Sequence, residues 1–203
     1  VADGRRSDTR DRIRAVAMEL FSERGYDKTS LREIAERLGV TKAALYYHFR
    51  TKEDIVASLS EDLRGGIDDI VRWAEAAPPG PERAREIVIR YGDLLHSLGK
   101  DMIRFWAENQ PAFRDLGFGT SLRYQFRVLA DLMTGPDPAP LATFHARQAL
   151  LAISWSLSMM GDLRLSDADS NAAAVAIAMD ILARMEPIAA QTHSKVSDSG
   201  SSA

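Results

Sequence analysis

The stretch LREIAERLGVTKAALYYHFRTK, residues 31–52, decides the architecture. Leu31, Ile34, Ala35 and Leu38 fall on one side of an α-helix, and Thr29 or Ser30 ahead of them suits its N-cap. Gly39 closes that helix and can take the positive φ that a tight turn between crossing helices needs. Thr41 opens a second helix containing Ala44, Leu45 and Phe49, and Val40, Leu45 and Phe49 lock it against its neighbours. Two helices joined by a short glycine-containing turn make a helix-turn-helix. The opposite face of the second helix is forced outward and offers Thr41, Lys42, Ala43, Tyr46, Tyr47 and His48. In such a module the N-terminal side chains of the second helix meet base edges in the major groove, and its flanks meet phosphates. Each residue also has a plainer role open to it. Thr41 and Thr51 cap helices whatever they bind, the tyrosines suit surface packing, and His48 suits a surface histidine.

Working outward, everything reads as helix. Upstream, Ile13, Val16, Ala17, Leu20 and Phe21 form one stripe of a helix from Ser7 or Asp8 to Glu23, with Gly25 as its C-cap. Residues 1–7 read as a disordered basic arm, whose Arg5 and Arg6 could reach an adjacent minor groove. Downstream, Thr51 caps a helix from Lys52 to Ala77, with Asp54 at N3 as an imperfect capping box. Its stripe is Ile55, Leu59, Leu63, Ile67, Ile70 and Ala74; it spans roughly 35–40 Å, and Gly65-Gly66 is a point where it could bend. Pro78-Pro79-Gly80-Pro81 is the clearest punctuation in the chain. Further helices are expected near 81–98, with Ile87, Tyr91, Leu94, Leu95 and Leu98 inward, and near 101–109, 120–133, 139–161 and 169–190. The Ser-rich tail over 191–203 reads as disordered. The fold class is all-α: a helix-turn-helix domain over 8–52 and a helical body over 53–190.

The charge distribution agrees with a nucleic-acid partner. The net charge is −3. Yet residues 1–52 carry 12 Lys and Arg against 8 Asp and Glu, a net of +4, and residues 53–203 carry 14 against 21, a net of −7. A basic head on an acidic body is what a footprint confined to one module looks like. The chain has no cysteine, which excludes disulfides, thiol catalysis and thiolate metal sites. No apolar run reaches membrane-spanning length, so a soluble cytoplasmic protein is the default. There is no nucleophile elbow, P-loop, dinucleotide fingerprint or His-Glu-x-x-His pattern. His96, His145 and His193 show no metal-ligand spacing. No enzyme activity, cofactor or metal is expected.

Thr29, Ile34-Ala35, Gly39-Val40, Leu45-Tyr46-Tyr47-His48-Phe49 and Lys52, with Leu20-Phe21 and Gly25-Tyr26 before them, closely resemble the DNA-binding domain of the TetR family of bacterial transcriptional regulators. The resemblance covers about residues 10–57. One departure is Ile55, where the family often has Leu, a volume-conserving change. The resemblance implies that Thr29 and Thr41 stand at helix N-termini against phosphates. It implies that Lys42, Ala43 and Tyr47 read bases, with Ala43 suited to a thymine methyl and Lys42 to guanine. Tyr46, His48 and Lys52 would contact phosphates. It also implies a homodimer on a palindromic operator of double-stranded DNA, with repression as the default.

For the body, the resemblance implies dimerisation and a small-molecule site. The last two helices are apolar on more than one face, so both faces need covering. Leu150, Ile153, Leu157, Val175, Met179 and Leu182 are the candidate dimer residues, in an intermolecular four-helix bundle. A fully buried helix in a monomer core is the plainer alternative. Tyr91, Met102, Phe105, Trp106, Asn109, Tyr124, Trp155 and Met159 are candidates for an effector pocket, with plain core as their alternative. The effector would be apolar or aromatic, and the long helix joining pocket to head would be the lever. Two other readings stand: a DNA-binding regulator without an effector, and a helical ligand-binding protein whose head has lost DNA binding.

Overall fold

Four short polar side chains set where helices begin. Ser30, Thr41, Thr51 and Ser166 each accept a hydrogen bond from the backbone N–H three residues on, at 3.1–3.3 Å, satisfying amides a helix start leaves unpaired. The computed structural model describes residues 2–109, 118–159 and 163–185. Among them are nine helices and no strand: α1 (Ala2–Arg24), α2 (Leu31–Leu38), α3 (Lys42–His48), α4 (Lys52–Ala76), α5 (Pro81–Leu98), α6 (Lys100–Glu108), α7 (Phe118–Thr134), α8 (Pro140–Met159) and α9 (Asp167–Ala183). No helix among the described residues is long and apolar enough to cross a membrane.

Two expectations about local structure are corrected. From Ala2 onward the supposed arm is helical and continuous with α1. No proline interrupts it, and extending an existing helix costs far less than nucleating one. The box at Thr51 is complete, because the Asp54 carboxylate accepts the N–H groups of both Arg50 and Thr51. The tail over 191–203 lies outside the described residues.

The side chains form two cores. The head core joins Ile13, Ala17, Leu20 and Phe21 of α1 to Leu31, Ile34, Ala35, Leu45 and Phe49, and adds Ile55, Val56 and Leu59 of α4. The body core joins Leu63, Ile67, Ile70 and Ala74 of α4 to α5, α7, α8 and α9. Helix α4 therefore serves both cores. By packing, the head reaches Leu59 rather than stopping at Lys52, because one unbroken helix crosses the limit and no linker divides it. Across α1 and α4, Arg14 pairs with Asp62.

Helix α4 runs unbroken through its glycine pair. Gly65 faces open space, whereas a Cβ on Gly66 would lie 2.2 Å from Leu94 Cδ1. Gly66 is thus where α5 comes close to α4. A Cβ on Gly92 would likewise lie 2.5 Å from Val175 Cγ2, so Gly92 admits α9. Gln125 of α7 ties to α4, donating to the Arg64 carbonyl at 3.3 Å and to Asp68 at 2.6 Å.

Candidate nucleic-acid interface and body cavity

The turn between α2 and α3 is built from backbone hydrogen bonds. Gly39 sits at φ 71°, ψ 27°. Its N–H donates to Glu36 O, and Val40 N–H donates to Ala35 O at 3.0 Å, the paired closure that a left-handed residue permits. Leu45 and Phe49 then anchor α3 in the head core. At 100° per residue, Lys42, Tyr46, Ala43 and Tyr47 occupy one contiguous arc of about 140° facing away from that core. All four are exposed, Tyr46 by 41% and Tyr47 by 65%. Lys42 Nζ stands 5.5 Å from the centre of the Tyr46 ring. The Tyr47 ring meets His48 edge-on at 5.3 Å, and His48 is half-buried on the flank. The ammonium of Lys28 and the guanidinium of Arg50, both exposed, form no ion pair among the described residues. Sequence reasoning passed over both, since charge on loop residues carries no periodic signal.

Two candidate contacts, Thr29 and Lys52, are placed differently from expectation, and Thr41 is placed as expected. Thr29 is 2% exposed, and its hydroxyl donates to the carbonyls of Gly25 at 2.9 Å and Leu20 at 3.3 Å. It ties the end of α1 to the start of α2. The N-cap is Ser30, one residue later, and Glu33 closes a capping box around it. The Glu33 carboxyl is held below the usual carboxylate range, first by the Ser30 hydroxyl and then by its N–H, with Arg24 adding. The start of α2 is thus occupied by the protein's own anion. Thr41 does cap α3 and is exposed, but its oxygen is engaged by Ala44 N–H. Lys52 turns inward: its Nζ donates to Tyr26 O at 2.8 Å and lies 4.4 Å from the Tyr26 ring centre. The Tyr26 hydroxyl donates to Glu53 at 2.8 Å. Burial first, then that carboxylate, push the Tyr26 phenol well above its ordinary pKa. Burial opposes ionisation of Glu53, yet bonds from its own N–H, Tyr26 and Thr51 outweigh it and hold its carboxyl low.

The body contains a cavity of about 760 Å³ between α4, α5, α6, α7 and α8, within the range of small-molecule sites. Five of the eight pocket candidates line it: Tyr91, Trp106, Tyr124, Trp155 and Met159. Met102 and Phe105 do not. Phe105 stacks on Phe21 at 5.3 Å in the head core, and Met102 packs beside it. Asn109 ends α6, its side-chain amide donating to Phe105 O. The reason is that the apolar arc of α6 is shared between two cores. Ile103 faces the cavity and Phe105 the head, while Trp106 touches both, lining the cavity and meeting Phe105 edge-on at 5.9 Å. The cavity floor includes Leu63, Ile67 and Leu95, and its polar centre is the Tyr91 hydroxyl, 2.9 Å from Ser154 Oγ. Burial pushes the Tyr91 phenol up, so it stays neutral. Sequence reasoning missed Arg123, Arg127, Arg147, Leu151 and Ser158, also in the lining. Among the described residues no group of three His, Asp or Glu is placed to hold a metal, and His193 lies outside them.

Three of the six candidate dimer residues face the subunit's own core, and the other three stay half-buried at its edge. Leu150, Ile153 and Leu182 are buried in the subunit's own core, and Leu157, Val175 and Met179 pack against it. An all-round apolar helix gives no phase from which to choose the inner face. The exposed stripe of α8 is instead Leu141, Phe144, Trp155 and Met159. Beside it, α9 exposes Ala172, Ala173, Ala176 and Ile177.

Comparison with known proteins agrees with this architecture. The family model for bacterial regulatory proteins of the tetR family matches residues 13–59, the span that packing assigns to the head. The chain is 38% identical over 181 residues to the HTH-type transcriptional regulator TtgR of Pseudomonas putida, covering 77% of this chain and 86% of that protein. It is 42% identical over 135 residues to the HTH-type transcriptional repressor KstR2 of Rhodococcus jostii, covering 57% of this chain and 63% of that one. Its fold is similar to the crystal structure of Mycobacterium smegmatis AmtR, with a TM-score of 0.61, 25% identity and 85% of each chain covered. An anchored α3 with an outward Lys42–Tyr47 face, set on a helical body, and this degree of likeness to TtgR together place the chain in the TetR family: it is a DNA-binding transcriptional regulator.

Proposed function

We propose that this regulator is a cytoplasmic homodimeric repressor that holds a palindromic operator through two copies of α3 and is released when a small molecule fills the body cavity. It works by binding and release, with no chemical step of its own. The observation that carries the reading is Trp106, which belongs at once to the cavity wall and to the head core. A molecule that displaces Trp106 must strain the Phe105–Phe21 stack, and with it the seat of α1. In this reading α6 joins α4 as the lever. Leu141 and Phe144, exposed near the start of α8, and the alanine face of α9 support the dimer, since together they leave a surface that a second copy can cover. Lys42, Ala43, Tyr46 and Tyr47 would read bases, with Thr41, His48, Lys28 and Arg50 beside phosphates.

Coupling of about 1–3 kcal/mol between cavity and operator is enough to shift affinity about 5- to 150-fold. The test begins with selection of bound sequences from random DNA by the purified protein. A palindromic motif is expected, and absence of sequence preference at moderate salt would defeat the reading. Titration of that operator complex with small apolar molecules then separates the two regulator models. Release of operator on cavity filling supports an effector. Tight filling with unchanged operator affinity supports a regulator without one.

A further inference from the structure

The cavity is chemically divided. Its floor is buried and apolar, from Leu63, Ile67, Leu95 and Ile103, and its one deep polar pair, Tyr91 with Ser154, is uncharged. Its rim is exposed and carries three guanidinium groups, Arg123 and Arg127 one turn apart on α7 and Arg147 on α8. No Asp or Glu is among the described residues that line it. Arg127 stands 5.6 Å from the Tyr124 ring centre, so an aromatic surface orients one of the three. Neither Arg127 nor Arg147 forms an ion pair with any described residue. Arg127 and Arg147 thus bring positive charge to one opening of a chain that is acidic as a whole. An anion at the rim would complement that charge.

We infer that the effector is an organic anion: an apolar body that fills the floor between α4, α5 and α6, and an anionic head, carboxylate or phosphate, held at the rim by Arg127 and Arg147. This rests on the cavity being an effector site, and it narrows the class. A neutral or cationic molecule of the same shape gains the floor and loses the rim. The planar fork of arginine suits both head groups. Because the rim is solvent-exposed, each guanidinium contributes what an exposed ion pair does, about two- to fivefold in affinity. The charge selects among apolar ligands more than it adds affinity.

The test uses two dyes with one body. 8-Anilinonaphthalene-1-sulfonate carries an anionic head, and N-phenyl-1-naphthylamine lacks it. Each is titrated into the full chain by fluorescence. Saturable binding of both is expected, with the sulfonate about tenfold tighter at low salt and its advantage shrinking as salt rises. Arg127→Gln and Arg147→Gln should each weaken the sulfonate about two- to fivefold and leave the neutral dye unchanged. Retained neutral-dye binding shows that the variants are folded. Competition then tells the head groups apart: decanoate or decyl phosphate should displace the bound dye, and decanol and decylamine should do so far less. Equal affinity for the two dyes, or displacement by decylamine as readily as by decanoate, overturns the anion while the cavity stands. Failure of both dyes to bind overturns the cavity reading itself.

Discussion

Lys42 and Tyr47 differ from Thr29 in a way that a measurement can separate. The first two are exposed on α3, and the third is buried under α2. Lys42→Ala and Tyr47→Ala are each expected to cost about 1–3 kcal/mol of operator affinity and to relax preference at one position, without shifting the urea midpoint. Thr29→Val should do the reverse. It leaves the carbonyls of Leu20 and Gly25 without this donor, costs about 1–3 kcal/mol of stability, and spares operator affinity where the protein is folded. Fluorescence anisotropy and urea melts check both halves. Glu53 makes a pH prediction. Its folded pKa lies below its ordinary value of 4.5. Its stabilising contribution is therefore present above that value and is lost as pH falls through the lower, folded one. In Glu53→Gln, urea midpoints measured between about pH 7 and about pH 3 should lose part of the acid-side decline seen in the parent. At this scale the sequence was legible wherever a residue type has one use, as at Gly39. It was not legible for Thr29 against Ser30, since adjacent hydroxyls both suit a cap and only burial separates them.

Helices announce their ends better than their neighbours. Ser30, Thr41, Thr51, Pro81 and Gly39 bound their helices close to where the sequence puts them, because capping is local chemistry. Which face meets which partner is not local. That is why Gly65-Gly66 reads as a hinge, although Gly66 is a contact site. It is also why Phe105 reads as cavity wall, although it is head core. The glycine pair supports a contrast within one turn of α4. Gly65→Ala should stabilise the protein by about 0.5–1 kcal/mol, the usual helix gain in open space. Gly66→Ala should instead destabilise it by about 1–3 kcal/mol through overpacking against Leu94. Adding Leu94→Ala should recover part of the loss, since the three nearest atoms all belong to that side chain. Thermal melts of the three variants are the check.

The whole molecule is a basic reading head and an acidic body that share α4 and α6. The all-α class and the division into two functions follow from periodicity, glycine placement and charge. Which face of α8 points inward did not, because α8 is apolar on opposite sides and only packing shows that Leu150 and Ile153 are inside. Phe144, 56% exposed on the outer side, is the residue to change. Phe144→Asp should yield a folded monomer by sedimentation and reduce operator affinity about 10²–10⁴-fold, the loss expected when two half-sites are no longer engaged together. One more property follows from where Trp106 sits. If the cavity acts on the head as proposed, a mutation that reshapes it at Trp106 should also reset the resting grip on DNA, so that new ligand range and altered basal expression are inherited as one change. Helix α7 has no such double duty in the cores: Arg123, Tyr124 and Arg127 line the cavity, and none of the three belongs to the head core. Descendants of this chain should therefore diversify their ligands first along α7 and hold Trp106 constant, and repeated laboratory selection for new inducers would follow the same order.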